Sequence, residues 1–323
     1  MHGNQETGSG AGRFAQTDSV DELHRLLVET RMVPGWNKPE PSFPMTPGKS
    51  FLPAHWSYGR AKPALDAAGR FVSTEIAERR NLILSNPVPG NSYATARTLV
   101  AAYQMVDRHE TARSHRHTPN ALRLVVDAEP DMFTVVDGKK IPMLPGDVVL
   151  TPSWSWHGHR NEGNARAYWI DFLDSPLVRL LEPTFFEPFP GSAEKADEVD
   201  ERSPMRFAWT DICRRVASQP CLSPGCREIL LGPPTLCTMA LHVVCLDEGA
   251  ERMCARTTAN SIYAVIDGTG VSSVEESVFE WHRGDVFVVP AWRELHLHAQ
   301  VQSHLLRVTD EPVFARLGWL REG

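Results

Sequence analysis

The chain has 323 residues, of which 42% are hydrophobic and 23% charged, a composition typical of a soluble globular protein with room for two ordinary domains. Its formal net charge of −7 and its lack of a basic run argue against nucleic acid or an anionic membrane as a partner. No apolar run approaches the roughly 20 residues that cross a bilayer, and the polar N-terminus lacks the apolar stretch of a signal peptide, so we expect a cytoplasmic protein with a small-molecule ligand.

The N-terminal region is predicted to begin with a tail and a helix. Residues 1–18 are polar and Gly-rich, and we expect them to form a disordered tail. Residues 20–32 carry apolar side chains near helical spacing, with Ser19 as the N-cap and acidic residues in the first turn. Residues 61–70 are predicted to add a short helix, and residues 81–84 a strand.

A Pro-rich arm separates these two helices. Residues 34–53 hold six prolines, so this segment should be extended and lie on the surface. An extended segment cannot bury its own apolar residues, which here include Trp36, Phe43 and Phe51. We therefore expect the arm and the preceding helix to pack against another subunit in a homo-oligomer, a dimer or a tetramer.

Short strands of a small barrel are predicted from residue 99 to residue 172. Glycine and proline interrupt the apolar runs, and Asp137-Gly138 is a strong signal for a tight turn. His115 and His117 are separated by one residue on a predicted strand, so both imidazoles face the same side and can bind one divalent metal ion.

The segment after this histidine pair is expected to return beside it. Thr118-Pro119-Asn120 ends the strand, because proline cannot donate to a sheet ladder and asparagine favours turns. Residues 121–126 would then run antiparallel to the first strand and carry Arg123 back toward the metal.

A third ligand is indicated by residues 146–161, which resemble the second cupin motif. In that family a glycine, a proline, a histidine and an asparagine recur at spacings that His157 and Asn161 satisfy, although Trp154 stands where a second glycine is usual. The resemblance favours His157 over His159 as the ligand. The glutamate that normally follows the first histidine pair is missing, which implies a three-histidine site without a carboxylate.

A closer resemblance lies in the segments AERRNLILSNP, ETARSHRHTPNALRLVV and GDVVLTPSWSWHGHRNEGNARAYWIDFLDSPLV. Over residues 56–190 the chain resembles the gentisate 1,2-dioxygenase family, which includes enzymes that cleave salicylate and 1-hydroxy-2-naphthoate. The resemblance implies an all-β bicupin, with two double-stranded β-helix (jelly-roll) barrels behind an N-terminal arm. It also implies one Fe(II) per chain, O2 as co-substrate, and cleavage between the carboxylate- and hydroxyl-bearing carbons of a 2-hydroxybenzoate.

Two arginines are candidates for binding the substrate carboxylate. Arg123 offers forked cationic donors, and its strand is apolar enough to be buried, where a charge needs a partner; a surface arginine is the alternative. Arg79 lies in the AERR segment, which in this family contributes a second pocket arginine, although an ordinary role at a helix end remains open.

Three further polar residues are candidates for the pocket. His159 shares strand parity with His157, so we predict that it faces the same cavity and moves the proton of the substrate hydroxyl. Gln104 and Asp171 fall where the family places polar pocket residues, and Asp171 could orient a histidine; core or surface roles are equally open for both.

A second copy of the barrel lacks the metal ligands. Residues 107–123 align without gaps on residues 247–263, and residues 146–148 on residues 284–286. This alignment replaces the three histidines and the arginine by Ala255, Thr257, Leu295 and Tyr263. The C-terminal barrel is thus predicted to be metal-free, with His296 and His298 either a partial site or a solvated pair.

The expected domains are a tail to residue 18, the helix and arm from 19 to 78, a first barrel from 79 to 190, a linker with helix from 191 to 230, and a second barrel from 231 to 323. The alternative to an enzyme is a metal-containing cupin that binds or senses an aromatic acid without oxidising it. The sequence does not distinguish gentisate from salicylate or a substituted salicylate as the ring accepted.

Overall fold

The computed structural model describes residues 9–39, 41–77, 79–232 and 236–323. The chain divides into two compact units, Met1–Gly48 and Lys49–Gly323. Among the helices in these ranges, none combines the length and the apolar character needed to span a membrane.

The first unit contains two helices, α1 (Ser9–Ala15) and α2 (Val20–Glu29). The predicted N-cap of α2 is confirmed, because the Ser19 hydroxyl accepts a hydrogen bond from a first-turn backbone N–H at 3.3 Å. Helix α1 lies where a disordered tail is predicted. Seven residues are too few for a stable isolated helix, and α1 is tied to α2 by Arg13 and Glu29, whose charged atoms lie 2.8 Å apart. Residues 1–8 of the predicted tail lie outside the described residues.

The second unit is built mainly from β-strands. Its first half contains β1 (Ala54–Trp56), α3 (Tyr58–Phe71), α4 (Thr74–Ala77), β2 (Arg80–Ile83), β3 (Val100–Val106), β4 (Thr111–His117), β5 (Ala121–Asp127), β6 (Met132–Val136), β7 (Lys139–Pro142), β8 (Val148–Thr151), β9 (His157–Asn161), β10 (Ala167–Leu173), α5 (Ser175–Leu180), β11 (Phe186–Pro188) and β12 (Arg206–Phe207). Its second half contains α6 (Trp209–Ala217), β13 (Cys226–Leu230), β14 (Ala240–Leu246), β15 (Glu251–Cys254), β16 (Ser261–Asp267), β17 (Thr269–Val274), β18 (Ser277–His282), β19 (Val286–Val289), β20 (Leu295–Ala299), β21 (Ser303–Thr309) and α7 (Glu311–Arg316).

These strands form two barrels of the same design. In the first barrel a six-stranded sheet, with strand order β12-β8-β5-β10-β3-β2, lies opposite a five-stranded sheet, β11-β4-β9-β6-β7. In the second barrel the sheet β1-β19-β16-β21-β14-β13 lies opposite the sheet β15-β20-β17-β18. The predicted turn between β6 and β7 is present, with φ values of 45° at Asp137 and 78° at Gly138. The prediction of an all-β fold with a repeated barrel is confirmed.

The prediction that β5 runs beside β4 is wrong. Strand β4 pairs with β9 and β11, whereas β5 pairs with β8 and β10 in the opposite sheet. After His117 the chain crosses from one wall of the barrel to the other through the turn that contains Pro119. Arg123 therefore approaches the interior from the wall opposite the histidine pair.

The six-stranded sheets are buried on both faces, which explains their nearly continuous apolar sequences. Their outer faces share one hydrophobic core, to which the first barrel contributes Leu122 and Ile170 and the second Ile262 and Leu306. Separate apolar clusters fill the interior of each barrel. The two barrels are thus joined sheet to sheet.

Segments outside each barrel complete its sheet. Strand β1, predicted as part of the arm, pairs with β19 of the second barrel, and β12, which follows the first barrel, pairs with β8. Strand β13 begins at residue 226, inside the predicted linker. We propose that the domain boundaries lie near residues 79, 190 and 226, with residues 54–56 assigned to the second barrel.

Of the three arm residues expected to need a neighbour, one is buried within its own chain. The ring of Phe51 is 7% exposed and the Arg97 guanidinium lies over it, 5.0 Å from its centroid. Trp36 is 71% exposed and Phe43 is 91% exposed. The two rings that remain exposed therefore both lie before residue 49.

Candidate metal centre

Three histidines converge inside the first barrel. Strand β4 supplies His115 and His117, and β9 supplies His157, which lies directly opposite His115 in the strand register. One ligand nitrogen from each ring lies within 4.8 Å of the others. In the part of the chain that the structure describes, this is the only cluster of three metal-ligating side chains.

Backbone carbonyls fix the tautomer of all three rings. Each Nδ1 faces a carbonyl oxygen, that of Arg113 at 3.3 Å, Pro119 at 2.8 Å and Ser155 at 3.0 Å. Because a carbonyl can only accept, each Nδ1 carries the hydrogen and each Nε2 keeps its lone pair. Nε2 of His157 is fully buried, with no hydrogen-bond partner among the described residues. A buried unpaired acceptor is costly, so the donor set fits a metal ion.

Burial also keeps these imidazoles neutral. It lowers the pKa of His115 to about 3 and that of His117 to about 4, and it lowers the pKa of His157 well below its usual value. Nearby cationic groups, including Arg79 and Arg123, act in the same direction. The rings are therefore in the protonation state that metal coordination requires.

The residue between His157 and His159 must be small. A Cβ added at Gly158 would lie 2.6 Å from the Ser114 hydroxyl oxygen and 3.1 Å from the Ala112 carbonyl oxygen. Any larger residue would separate β9 from β4 and displace the ligands that they carry.

Trp154 occupies the motif position where glycine is usual, and the backbone shows why glycine is usual there. Its φ is 68°, a left-handed conformation that costs a residue with a Cβ on the order of 1–2 kcal/mol. The indole is held by the Arg116 guanidinium, which lies 4.6 Å from it and 4.4 Å from the Trp156 ring. The backbone N–H of Trp154 donates to the backbone carbonyl of His117 at 2.9 Å. Tertiary contacts thus stabilise a strained turn immediately before His157.

Arg123 lies on β5, directly opposite Asp171 on β10, and both side chains are buried. Its Nε is 3.3 Å from Asp171 Oδ1, an ion pair without hydrogen-bond geometry, and its Nη1 donates to Thr151 Oγ1 at 2.8 Å. Burial lowers the pKa of Arg123 to about 10, so it remains cationic at neutral pH. A buried charge at this position was expected to need a partner, and in the structure Asp171 is that partner.

Asp171 organises polar side chains other than histidine. Its Oδ1 accepts from Trp169 Nε1 at 2.8 Å, and its Oδ2 accepts from Gln104 Nε2 at 2.5 Å. Gln104 Oε1 in turn accepts from Arg79 Nε. That Asp171 orients a histidine stays a prediction. The four predicted residues form one continuous network, from Arg79 through Gln104 and Asp171 to Arg123.

His159 lies on the same strand as His157 but outside the ligand cluster. Its ring is 1% exposed and packs against Trp169, with centroids 4.7 Å apart and planes tilted by 39°, and Nδ1 lies 3.3 Å from Thr134 Oγ1. Burial lowers its pKa well below the usual value, and its Nε2 has no hydrogen-bond partner among the described residues. A neutral imidazole is therefore available beside the metal ligands.

The sequence did not indicate several of these contacts. Trp169 could have been found, because it is two residues from Asp171 on the same strand and so shares its face. Thr134, Thr151 and Phe186, whose ring lies 5.2 Å from that of His115, come from strands whose pairing no local pattern specifies.

The second barrel has no equivalent cluster in its described residues. The backbone carbonyl of Thr257 accepts from the backbone N–H of Trp292 at 2.6 Å, and the carbonyl of His117 accepts from the backbone N–H of Trp154 in the same way. This correspondence supports the alignment of the two repeats. His296 and His298 face a single carboxylate, that of Glu251, at 3.6 and 3.5 Å.

Known proteins resemble the chain along nearly its whole length. A model of the cupin domain matches residues 102–173. A gentisate 1,2-dioxygenase from Streptomyces sp. is 33% identical over 94% of this chain and 94% of its own. A 5-aminosalicylate 1,2-dioxygenase from Comamonas sp. is 32% identical over 95% of this chain and 90% of its own. The crystal structure of a salicylate 1,2-dioxygenase from Pseudoaminobacter salicylatoxidans with gentisate has a TM-score of 0.88 and 26% identity, and covers 99% of this chain and 97% of that one.

Proposed function

Because this chain belongs to the family of gentisate and salicylate 1,2-dioxygenases, we propose that it cleaves the ring of a 2-hydroxybenzoate with O2, between the carboxylate- and hydroxyl-bearing carbons. The protein is a bicupin oxidoreductase of the ring-cleaving type. The observation that carries the proposal is the three-histidine cluster of the first barrel, with a buried arginine reaching the same interior. Gentisate and the salicylates, which appear in the names of the relatives, all combine a carboxylate with an adjacent hydroxyl.

We propose that the resident metal is Fe(II), one ion per chain, held by Nε2 of His115, His117 and His157. Three neutral imidazoles also suit zinc, copper or nickel, so the donor set alone does not select iron. Iron, when bound, supplies one-electron chemistry toward O2 that zinc lacks. The three histidines would hold the ion without a carboxylate and would leave it open to further ligands.

Arg123 is proposed to bind the substrate carboxylate. Of its five N–H donors only one makes a hydrogen bond to a described residue, that to Thr151, so a fork of donors is available to a second partner. Asp171 and Thr151 hold the guanidinium in place, and Gln104 links this pair to Arg79. Arg79 is proposed as the second substrate-binding arginine, with Gln104 fixing its position.

His159 is proposed to take the proton of the substrate hydroxyl. Its neutral state leaves one ring nitrogen free to accept, and the contacts with Trp169 and Thr134 restrict the orientation of the ring. His159, Trp169 and Thr134 are all buried, so a proton held at His159 is shielded from bulk water.

Oxygen uptake tests the proposed reaction directly. Iron-loaded protein is expected to consume one O2 for each molecule of gentisate, salicylate or 5-aminosalicylate that it converts, with loss of aromatic absorbance. Protein loaded with zinc is the control and should bind the acid without consuming O2. Binding of these acids by the iron form without O2 uptake for any of them would instead support a sensing cupin.

A homo-oligomer is proposed from the exposed arm. Light scattering is expected to give the mass of a dimer or tetramer for the full chain and a smaller assembly after deletion of residues 1–48. A Trp36→Ser, Phe43→Ser double variant, which keeps the arm but removes two exposed rings, should weaken the assembly in the same direction. A monomeric full chain, or an assembly unchanged by both alterations, would refute the proposal.

A further inference from the structure

Each barrel contains a buried pair made of an aspartate and an asparagine. In the first barrel the backbone N–H and the side-chain amide of Asn120 donate to the two carboxylate oxygens of Asp174, at 2.8 and 2.9 Å. In the second barrel Asn260 donates to Asp310 in the same way, at 2.7 Å for both hydrogen bonds. All four side chains are buried. The two pairs are therefore equivalent parts of the repeat.

A threonine from the opposite barrel contacts each pair. Thr238, which lies just before β14 of the second barrel, donates its hydroxyl to Asp174 of the first barrel and accepts from the Asn120 amide at 3.0 Å. Thr98, which lies just before β3 of the first barrel, makes the same two contacts with the pair of the second barrel. Each barrel thus contributes one hydroxyl to a buried polar cluster of the other.

The pair of the first barrel lies beside both turns that orient metal ligands. Asn120 follows Pro119, whose backbone carbonyl faces His117 Nδ1 at 2.8 Å. The side-chain oxygen of Asn120 accepts from the backbone N–H of Ser153 at 2.9 Å. Two residues further along that turn, a backbone carbonyl faces His157 Nδ1 at 3.0 Å. One amide side chain therefore joins the two turns on which the orientation of His117 and His157 depends.

The second barrel has the same construction without the ligands. The side-chain oxygen of Asn260 accepts from the backbone N–H of Ala291 at 3.0 Å, which corresponds to the hydrogen bond from Ser153 in the first barrel. The three aligned ligand positions hold alanine, threonine and leucine. A change to the pair of the second barrel therefore measures the contribution of such a pair to stability, separately from any effect on a metal ion.

We propose that Thr238 is a positioning residue for the metal centre of the first barrel and acts through Asp174 and Asn120. The buried carboxylate of Asp174 accepts three hydrogen bonds, and these fix the orientation of the Asn120 amide. Loss of the hydroxyl leaves the carboxylate with fewer donors and frees the amide to move, which loosens both ligand turns. The second barrel thereby supports a metal centre that lies outside it. This inference rests on the proposed three-histidine centre.

Titration of metal-free full-length protein with Co²⁺ tests the inference, because the visible absorption of the bound ion reports its coordination geometry. Thr238→Val, which removes the hydroxyl, is expected to weaken Co²⁺ binding about five-fold and to alter the spectrum; this is less than the roughly 10- to 100-fold effect of a direct partner of a ligand, because Thr238 acts one step further out. Thr98→Val is the matched control. It should lower the midpoint of thermal unfolding by a similar amount and leave the Co²⁺ affinity and spectrum at wild-type values.

Thr238→Ser keeps the hydroxyl and should restore the wild-type Co²⁺ affinity, which separates hydrogen bonding from packing. If Thr238→Val does not fold, the comparison of Thr238→Ala with Thr98→Ala decides by the same criteria. Equal effects of the Thr238 and Thr98 changes on Co²⁺ affinity, or weakened binding by Thr238→Ser, would overturn the inference while leaving the metal centre in place. A wild-type protein that binds no Co²⁺ would overturn the metal centre itself and this inference with it.

Discussion

His157→Asn is expected to yield protein without bound iron and without ring-cleaving activity. His157 supplies a buried ligand nitrogen that has no other described partner, and it lies opposite His115 in the strand register. Its replacement removes the one ligand that β9 contributes. An amide oxygen is a poorer ligand for iron than an imidazole nitrogen. The iron affinity should fall by more than the roughly 100-fold that removal of an outer hydrogen-bond partner produces.

His159→Asn is the matched control, two residues away on the same strand and equally buried. It should retain one iron per chain and lose turnover, because the altered group is proposed to move a proton and not to bind the metal. Iron content is measured by elemental analysis and activity by O2 uptake. Loss of iron from His159→Asn with retention by His157→Asn would reverse the two roles. Two tightly bound irons per wild-type chain would contradict a metal-free second barrel.

Arg123→Lys is expected to lower kcat/KM by roughly thirty-fold or more, a loss of about 2 kcal/mol of transition-state stabilisation. The charge is kept, but one ammonium group cannot reproduce the fork of donors that a carboxylate accepts. The shorter reach also breaks the contacts with Asp171 and Thr151 that hold the guanidinium. Iron content should stay at the wild-type level, which separates substrate binding from metal binding.

Arg80→Lys is the control for this change. Arg80 is also a buried arginine, 4% exposed, but it bonds to the Val72 carbonyl and to Glu110 away from the histidines. Its replacement should lower the midpoint of thermal unfolding without a comparable loss of kcat/KM. Full kcat/KM in Arg123→Lys would mean that another group, such as Arg79, anchors the carboxylate.

The network behind Arg123 gives the pocket its rigidity. Asp171 and Thr151 hold the guanidinium, and Gln104 donates to Asp171, so the orientation of the donors is set before substrate arrives. The same arrangement explains how a permanent charge is tolerated in an apolar barrel. A single buried carboxylate balances it, while the unused donors stay available to a second anion.

Local patterns in the sequence were sufficient for several features. The two-residue period of a strand places His115 and His117 on one face, and Asp137-Gly138 predicts the turn between β6 and β7, because both depend only on neighbouring backbone conformation. The N-cap at Ser19 is local in the same way. The loss of ligands in the second barrel was visible because the repeat can be aligned residue by residue.

Features that depend on strand pairing were decided only by the tertiary structure. Whether β5 follows β4 in the same sheet or crosses to the opposite one is set by packing around a common core, and the turn at Pro119 permits both. The partners of Asp171 come from β3, β5 and its own strand, so no local pattern assigns them. The positive φ of Trp154 is likewise maintained by Arg116, a residue close in space and distant in sequence. The sequence by itself therefore determined which side chains point into each barrel, because the alternation of side chains is a property of a single strand. The tertiary structure decided which of these side chains contact one another, because contacts depend on the register between strands.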